Sequence, residues 1–324
     1  MPLSFADLLQ RRLVFTVGKG GVGRTTVTLG IALEAARRGH RVLVVELEGA
    51  RGLEAALATQ REQVHPPAWL DRIEYMMVDG RRALEEYLGL IVPVKRLLKT
   101  VFSSNVYQYF VAAAPGLKEL MTVGKVWYEA TREEGRRPAW DVVVVDAPAT
   151  GHGLQYLRMP HAARDTFGAG LVQREASRIV GVLQDPRVTA VHLVTLAEDM
   201  PATEALEAHA QLTGPLGLPM GAVVVNRVHD RRFTPEVIAR LRAAAATTAE
   251  ADRALLASVA ERAVEEGAWA EINAQHLARL RDALGGAPLV VLPYLFTEEF
   301  GEHELDTLAG ILGEATTRAA VRRA

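Results

Sequence analysis

Cysteine is absent from this chain of 324 residues, and the absence removes disulfides, thiolate zinc sites, iron–sulfur clusters and thiol chemistry together. Of the strong metal-ligating side chains, only His, Asp and Glu remain. Long hydrophobic runs are missing too. No stretch of about 18 apolar residues occurs, so no integral membrane segment is expected. The first residues, MPLSFADLLQRRL, lack the basic start, apolar run and small-residue cleavage site of a secretory leader, which makes the cytoplasm the expected compartment. A dominant charge is also lacking. With 37 Lys and Arg against 39 Asp and Glu, there is no net field to draw the chain onto nucleic acid or anionic lipid, and a nucleic-acid partner has no compositional support.

What is present is a hydrophobic share of 49%, enough for the core of one large domain or two small ones. Short β-branched runs recur along the chain: RLVFTV (12–17), RVLVVEL (41–47), IEYMMV (73–78), DVVVVD (141–146), TAVHLVTL (189–196), GAVVVN (221–226) and APLVVLP (287–293). Continuous apolar runs of this length indicate strands buried on both faces. Helix-period segments separate them, so the expected class is α/β, a mostly parallel, doubly wound sheet. Two stretches are too long to be simple crossovers and predict an added helical layer on a single domain spanning 1–324: about 80–135, broken near Pro93, Ser103–Asn105 and Pro115–Gly116, and about 229–286, with a long helix near 249–284. No internal repeat or low-complexity linker interrupts the pattern.

Directly after the first strand stands GKGGVGRTT (18–26). The spacing Gly18-x4-Gly23-Arg24-Thr25 is that of the phosphate loop of P-loop NTPases, with arginine in the lysine position. Glycines at 18, 20, 21 and 23, with Val22 between them, let backbone N–H groups curl around phosphate oxygens, and a helix beginning near Thr25 adds its positive end. Thr25 is the expected hydroxyl ligand of Mg²⁺, and Thr26 is expected on an inner phosphate. The alternative, a glycine-rich turn without a ligand, does not account for the full strand, loop and helix context. ATP or ADP with Mg²⁺ is therefore the expected ligand.

Lys19, second in the loop, resembles the KGGxGKT signature of the deviant Walker A ATPases, in which this lysine reaches across a dimer interface to the partner's phosphates. The segment DVVVVDAPATGHGLQYLRMP (141–160) resembles the D-T-A-P-T-G-H-T-L-R-x-L-x-L-P signature of the ArsA/Get anion-transporting ATPases, with Pro148, Gly151, His152, Leu154, Leu157 and Pro160 in register. The resemblance implies that Asp146 holds the magnesium shell and that Gly151 and His152 form a γ-phosphate switch. The first switch of that family, D-P-A-H, falls on Glu48, Gly49 and Arg51. It implies that Glu48 orients the attacking water from one methylene further out; the other reading of Glu48 is an ordinary acid at a helix start. Asn226 ends its strand as in the family's V-V-N motif and is implied to read the adenine edge, with Pro293, Tyr294, Leu295 and Phe296 covering the base. The combination of ELEG, APGL and DAPATG is most similar to paired Get-like ATPases of actinobacteria, which implies a homodimer or a heterodimer with a paralogous ATPase.

Arg24 and Glu48 depart from the family pattern. A planar guanidinium binds oxygens firmly but follows a moving phosphate less well than a compact ammonium, so slow hydrolysis is expected, with Lys19, Arg24, Glu48 and Asp146 as the catalytic set. Metalloid-sensing cysteines and the zinc-clamping CxxC of the targeting factors are missing, as is a methionine-rich client insertion after Pro160. The leading expectation is an ATP-driven dimer whose helical layer handles apolar segments of membrane proteins. The alternatives are a spatial organiser of the MinD/ParA kind, disfavoured by the weakly apolar C-terminus ATTRAAVRRA, and a weakly hydrolysing regulatory subunit of a heterodimer.

Overall fold

A computed structural model describes residues 11–47, 52–61, 68–91, 102, 104 and 116–321. Glu48, Gly49, Arg51 and much of the first helical stretch lie outside the described residues, as do the side chains of Thr150 and His152. All seven expected strands form: β1 (Leu13–Gly18), β2 (Val42–Leu47), β3 (Ile73–Val78), β6 (Val142–Asp146), β7 (Thr189–Leu196), β8 (Met220–Val228) and β9 (Leu289–Pro293). They pair in the order β3-β2-β6-β1-β7-β8-β9, parallel at every pairing. Two short strands, β4 (Glu133–Glu134) and β5 (Arg137–Pro138), make a separate antiparallel hairpin.

Both faces of the sheet are covered, which is why the strands read as unbroken apolar runs. Alternate residues go to opposite cores. Leu13, Phe15 and Val17 of β1 enter one cluster with Leu43, Val45, Val143 and Val145; Val14 enters the other with Val42, Val44, Val142 and Val144. The second face is closed by α1 (Arg24–Arg37) and α10 (Glu302–Val321), which pack together. Gly30 makes that approach possible, because a Cβ there would stand 2.9 Å from a Leu312 methyl. Following α1 are α2 (Gly52–Arg61) and a short 3₁₀ turn, Ala68–Arg72. Thr16, buried in β1, joins the layers by pairing with the Thr28 hydroxyl of α1 at 2.6 Å and donating to the Val145 carbonyl at 3.0 Å.

On the first face lie α4 (Leu117–Thr131), α5 (Thr150–Thr166), α6 (Leu171–Gln184) and α7 (Asp199–Thr213). The first helical stretch contributes α4 and α3 (Gly80–Ile91), which pack on each other. Val123, Val126 and Ala130 of α4 belong to the sheet core. The second stretch is a helical hairpin of α8 (Pro235–Thr247), capped by the Thr234 hydroxyl accepting from the Val237 amide, and α9 (Glu250–Ala283). Leu277 and Leu280 seat the end of α9 in the first core. Among the described residues no helix is long and apolar enough to cross a membrane.

One imidazole is built into the sheet. His192 of β7 is fully buried and its Nδ1 accepts the Ala222 amide of β8 at 2.9 Å, beside a register shift between Val191 and Leu193. A Cβ on neighbouring Gly221 would stand 2.6 Å from the ring. Burial pushes the His192 pKa down to about 4. The unfolded chain, with an ordinary pKa near ~6.5, takes up a proton that the folded chain refuses. Stability is therefore complete above about pH 6.5 and falls by up to ~3 kcal/mol as the pH drops towards 4. Denaturant midpoints measured from pH 7 to pH 4 should show this loss, and His192→Gln should flatten that part of the profile.

Candidate functional site

The carboxyl ends of β1, β6, β8 and β9 carry the described members of the predicted set, and the strand order reverses beside β1. The loop after β1 leads into α1, whose N-cap Gly23 has φ 88° and supplies no capping side chain. After β6, α5 begins in the same way, its N-cap Ala149 giving no side-chain bond. The two helix starts converge: a Cβ on Gly20 would lie 3.9 Å from that of Ala149. First-turn amides of both helices have no capping side chain, and a helix start so left favours an anion. Gly151 is exposed, with open space where a Cβ would stand.

Beneath this space, Asp146 ends β6 with its carboxylate nearly buried. Thr25 donates its hydroxyl to Oδ2 at 2.7 Å, and Arg24 directs Nε at Oδ1 at 3.4 Å. The same guanidinium donates from Nη1 to the Gly18 carbonyl at 2.7 Å. Arg24 is thus engaged both by its own loop and by the end of β6. Burial raises the Asp146 pKa, the Thr25 hydroxyl and the Arg24 charge oppose the rise, and the nearby Glu46 adds to it. Net elevation beside an arginine means that the local cation does not fully compensate the buried charge. Lys19 pairs with Glu204 of α7 in the same chain, Nζ to Oε1 at 2.5 Å, both side chains about one-third exposed.

Asn226 sits on the other side of the loop. It is buried at the end of β8 and donates Nδ2 to the Val22 carbonyl at 3.0 Å. The contact is so close that a Cβ on Gly23 would fall 2.2 Å from Nδ2. The next residue, Arg227, has φ 54°, and the pairing of β8 with β9 shifts register between Val225 and Val228. A bulge of this kind re-aims a side chain; here it accompanies the turn of Asn226 onto the phosphate loop.

The segment after β9 divides. Leu295 packs towards the second core, whereas Tyr294 and Phe296 line a cavity of about 810 Å³ together with Arg227, His229, Arg232 and Trp269. His229 stacks on Tyr294 with centroids 4.3 Å apart and on Trp269 at 5.9 Å, and Arg232 lies over Phe296 at 4.4 Å. Neither Asn226 nor the phosphate loop lines this cavity. The base residues expected from sequence are thus neighbours that face two spaces. Sequence reasoning missed His229, Trp269, Glu204 and Glu46. The only signal for His229 was its place three residues after Asn226, and that for Glu46 was an acid inside an apolar run; nothing local distinguished Trp269 or Glu204.

Comparison with known proteins follows the same geography. The sequence model of a family described as anion-transporting ATPase matches residues 11–176, which contain the loop, Asp146 and Gly151 but neither Asn226 nor the segment after β9. ATPase BagA of Mycobacterium tuberculosis is 31% identical over 235 residues, covering 71% of this chain and 68% of that protein. The arsenical pump-driving ATPase of Escherichia coli is 26% identical over 238 residues, covering 66% of this chain and 39% of its own.

Since Asn226 supplies a buried tie between β8 and the loop, Asn226→Ala should leave the Val22 carbonyl without that donor and destabilise the chain by about 1–3 kcal/mol. Asn226→Asp should cost more, because a carboxylate would then face a carbonyl oxygen. Chemical denaturation of both variants at neutral pH measures the difference.

Proposed function

As this chain belongs to the anion-transporting ATPase family and is thereby an ATP-binding ATPase, we propose that ATP and ADP bind with Mg²⁺ at Gly18–Thr26, in the cytoplasm, with the base held near Asn226, Pro293, Tyr294, Leu295 and Phe296. The observation that carries this reading is the convergence of two uncapped helix starts on a glycine loop above a buried carboxylate. Amides of Gly20, Gly21, Val22 and Gly23 and of the first turn of α1 hold phosphate oxygens, Thr26 contacts an inner phosphate, and Gly151 meets the terminal one.

The residues fit a magnesium ion at the same place. Among the described residues no cluster of three or more His, Asp or Glu side chains gathers as a dedicated cage, and magnesium bound with a nucleotide needs only one or two protein oxygens beside the phosphates. The Thr25 hydroxyl would hold it directly and Asp146 through its shell, which would also relieve the uncompensated charge at Asp146. When bound, magnesium neutralises charge on the phosphate oxygens. Glu48 is the residue assigned to the attacking water; it lies outside the described residues.

Hydrolysis is slow in this reading because Arg24 is occupied by the Gly18 carbonyl and Asp146 and is not free to follow a terminal phosphate. Lys19 completes the opposing site when two nucleotide faces meet, with a second copy or a paralogue, and must first leave Glu204. Apolar segments of membrane proteins are the proposed clients. The support is narrow: α4 commits much of its apolar face to the sheet core, leaving Leu84, Leu88, Phe102 and Leu117 as a small cluster that Met121 joins to that core.

Two measurements test this reading. Calorimetry should show magnesium-dependent binding of ATP and ADP at micromolar concentrations, and steady-state assays should show a low rate that Arg24→Lys raises about tenfold; no binding at millimolar nucleotide, or a brisk native rate that the substitution lowers, overturns it. For Lys19→Ala, nucleotide affinity should remain within about twofold while hydrolysis by mixed dimers falls at the partner's site. A chain that stays monomeric with ATP, alone and with a paralogue, would remove the trans role of Lys19.

A further inference from the structure

Glu46 is an acid inside a strand that is otherwise apolar: β2 reads VLVVEL, and all six positions are buried. Burying a carboxylate is expensive unless hydrogen bonds replace its water. Glu46 is 5% exposed, and both its oxygens are engaged. Tyr75 of β3 donates its hydroxyl to Oε2 at 2.9 Å, and the Gly52 amide, at the start of α2, donates to Oε1 at 3.2 Å.

Strand register sets what lies on the other side. Glu46 is paired directly with Asp146 of β6, and by the alternation of the strands both point to the face covered by α1. Two buried carboxylates side by side repel one another, so each needs its own donors. Asp146 has Thr25 and Arg24; Glu46 has Tyr75 and Gly52. A Cβ on Gly52 would lie 3.7 Å from the Thr25 methyl, so the start of α2 rests against the residue that bonds Asp146. The contacts close a ring: Glu46 to Gly52, Gly52 to Thr25, Thr25 to Asp146, and Asp146 back across the strand pair to Glu46.

We propose that Glu46 is a positioning residue for the magnesium site, its carboxylate holding the start of α2 against Thr25 and standing as a second negative charge beside Asp146. This rests on the assignment of Thr25 and Asp146 to magnesium. Glu46 touches neither phosphate nor metal. It fixes the hydroxyl that does and deepens the potential that a divalent cation meets. An aspartate would be too short to reach the Gly52 amide, and a glutamine would keep the shape while removing the charge.

The test uses the full chain and its Glu46→Gln, Glu46→Asp and Tyr75→Phe variants. Nucleotide affinity is measured by calorimetry with and without Mg²⁺, and amide exchange is followed in α2. Glu46→Gln should reduce the gain in ATP affinity on adding Mg²⁺ by about tenfold while leaving magnesium-free affinity within about twofold, and exchange should accelerate at the start of α2 but not in β1 or β6. Glu46→Asp should not rescue either readout, and Tyr75→Phe should move both by less. An unchanged magnesium gain in Glu46→Gln overturns the proposal, as does a fall in magnesium-free affinity in the same proportion with faster exchange throughout, which would make Glu46 merely structural. If the unsubstituted chain binds no nucleotide, the ATP site itself is refuted; if it binds with a magnesium gain that Glu46→Gln preserves, only the role of Glu46 is lost.

Discussion

Placing a carboxylate at the buried carboxyl edge of a parallel sheet obliges the surroundings to supply positive charge or hydrogen-bond donors, and Asp146 imposes that obligation here. The Thr25 hydroxyl, the Arg24 guanidinium and the starts of α1 and α5 are all disposed around it. Burial still raises its pKa above the ordinary carboxylate value. The site therefore carries a buried charge that its own donors compensate only in part, and a cation held there would lower that cost. Glu46, next in the sheet, sharpens the same constraint.

The arginine in the loop acquires its meaning from this arrangement. Lysine would offer a single mobile charge, whereas the guanidinium spans from the Gly18 carbonyl to Asp146 and bonds at both ends. The loop is thereby cross-braced from inside, while Asn226 braces it from β8 through the Val22 carbonyl. A glycine loop held on two sides keeps its shape without a ligand's help.

The strands and the loop were legible in the sequence for physical reasons. Burial on both faces forces unbroken apolar runs, so all seven strands stood out, and the glycine spacing at 18–23 reflects backbone curvature that few other residues tolerate. Asp146 and Asn226 were legible because each ends such a run. Long-range side-chain pairing left no comparable trace. Lys19 meets Glu204 across 185 positions, and nothing around Glu204 marks it as a partner for the loop. Glu46 read only as an interruption of β2, because its worth depends on Tyr75, on Gly52 and on the register that sets it beside Asp146. The aromatic stack of His229, Tyr294 and Trp269 draws on three separate segments, of which only the one holding Tyr294 and Phe296 stood out in the sequence.

The long helix α9 is held near its far end by Asn273, which donates to the Ala197 carbonyl after β7 and accepts the His229 amide after β8. Mechanically this is a fulcrum placed at the ends of the two strands that follow β1 in the sheet. From Asn273 back to Glu250 the helix extends about 34 Å at ~1.5 Å per residue. A tilt of about five degrees at the fulcrum would carry that tip through about 3 Å over this lever length. Displacements too small to unmake a hydrogen bond at the strand ends would thus be enlarged at the tip of the helical hairpin.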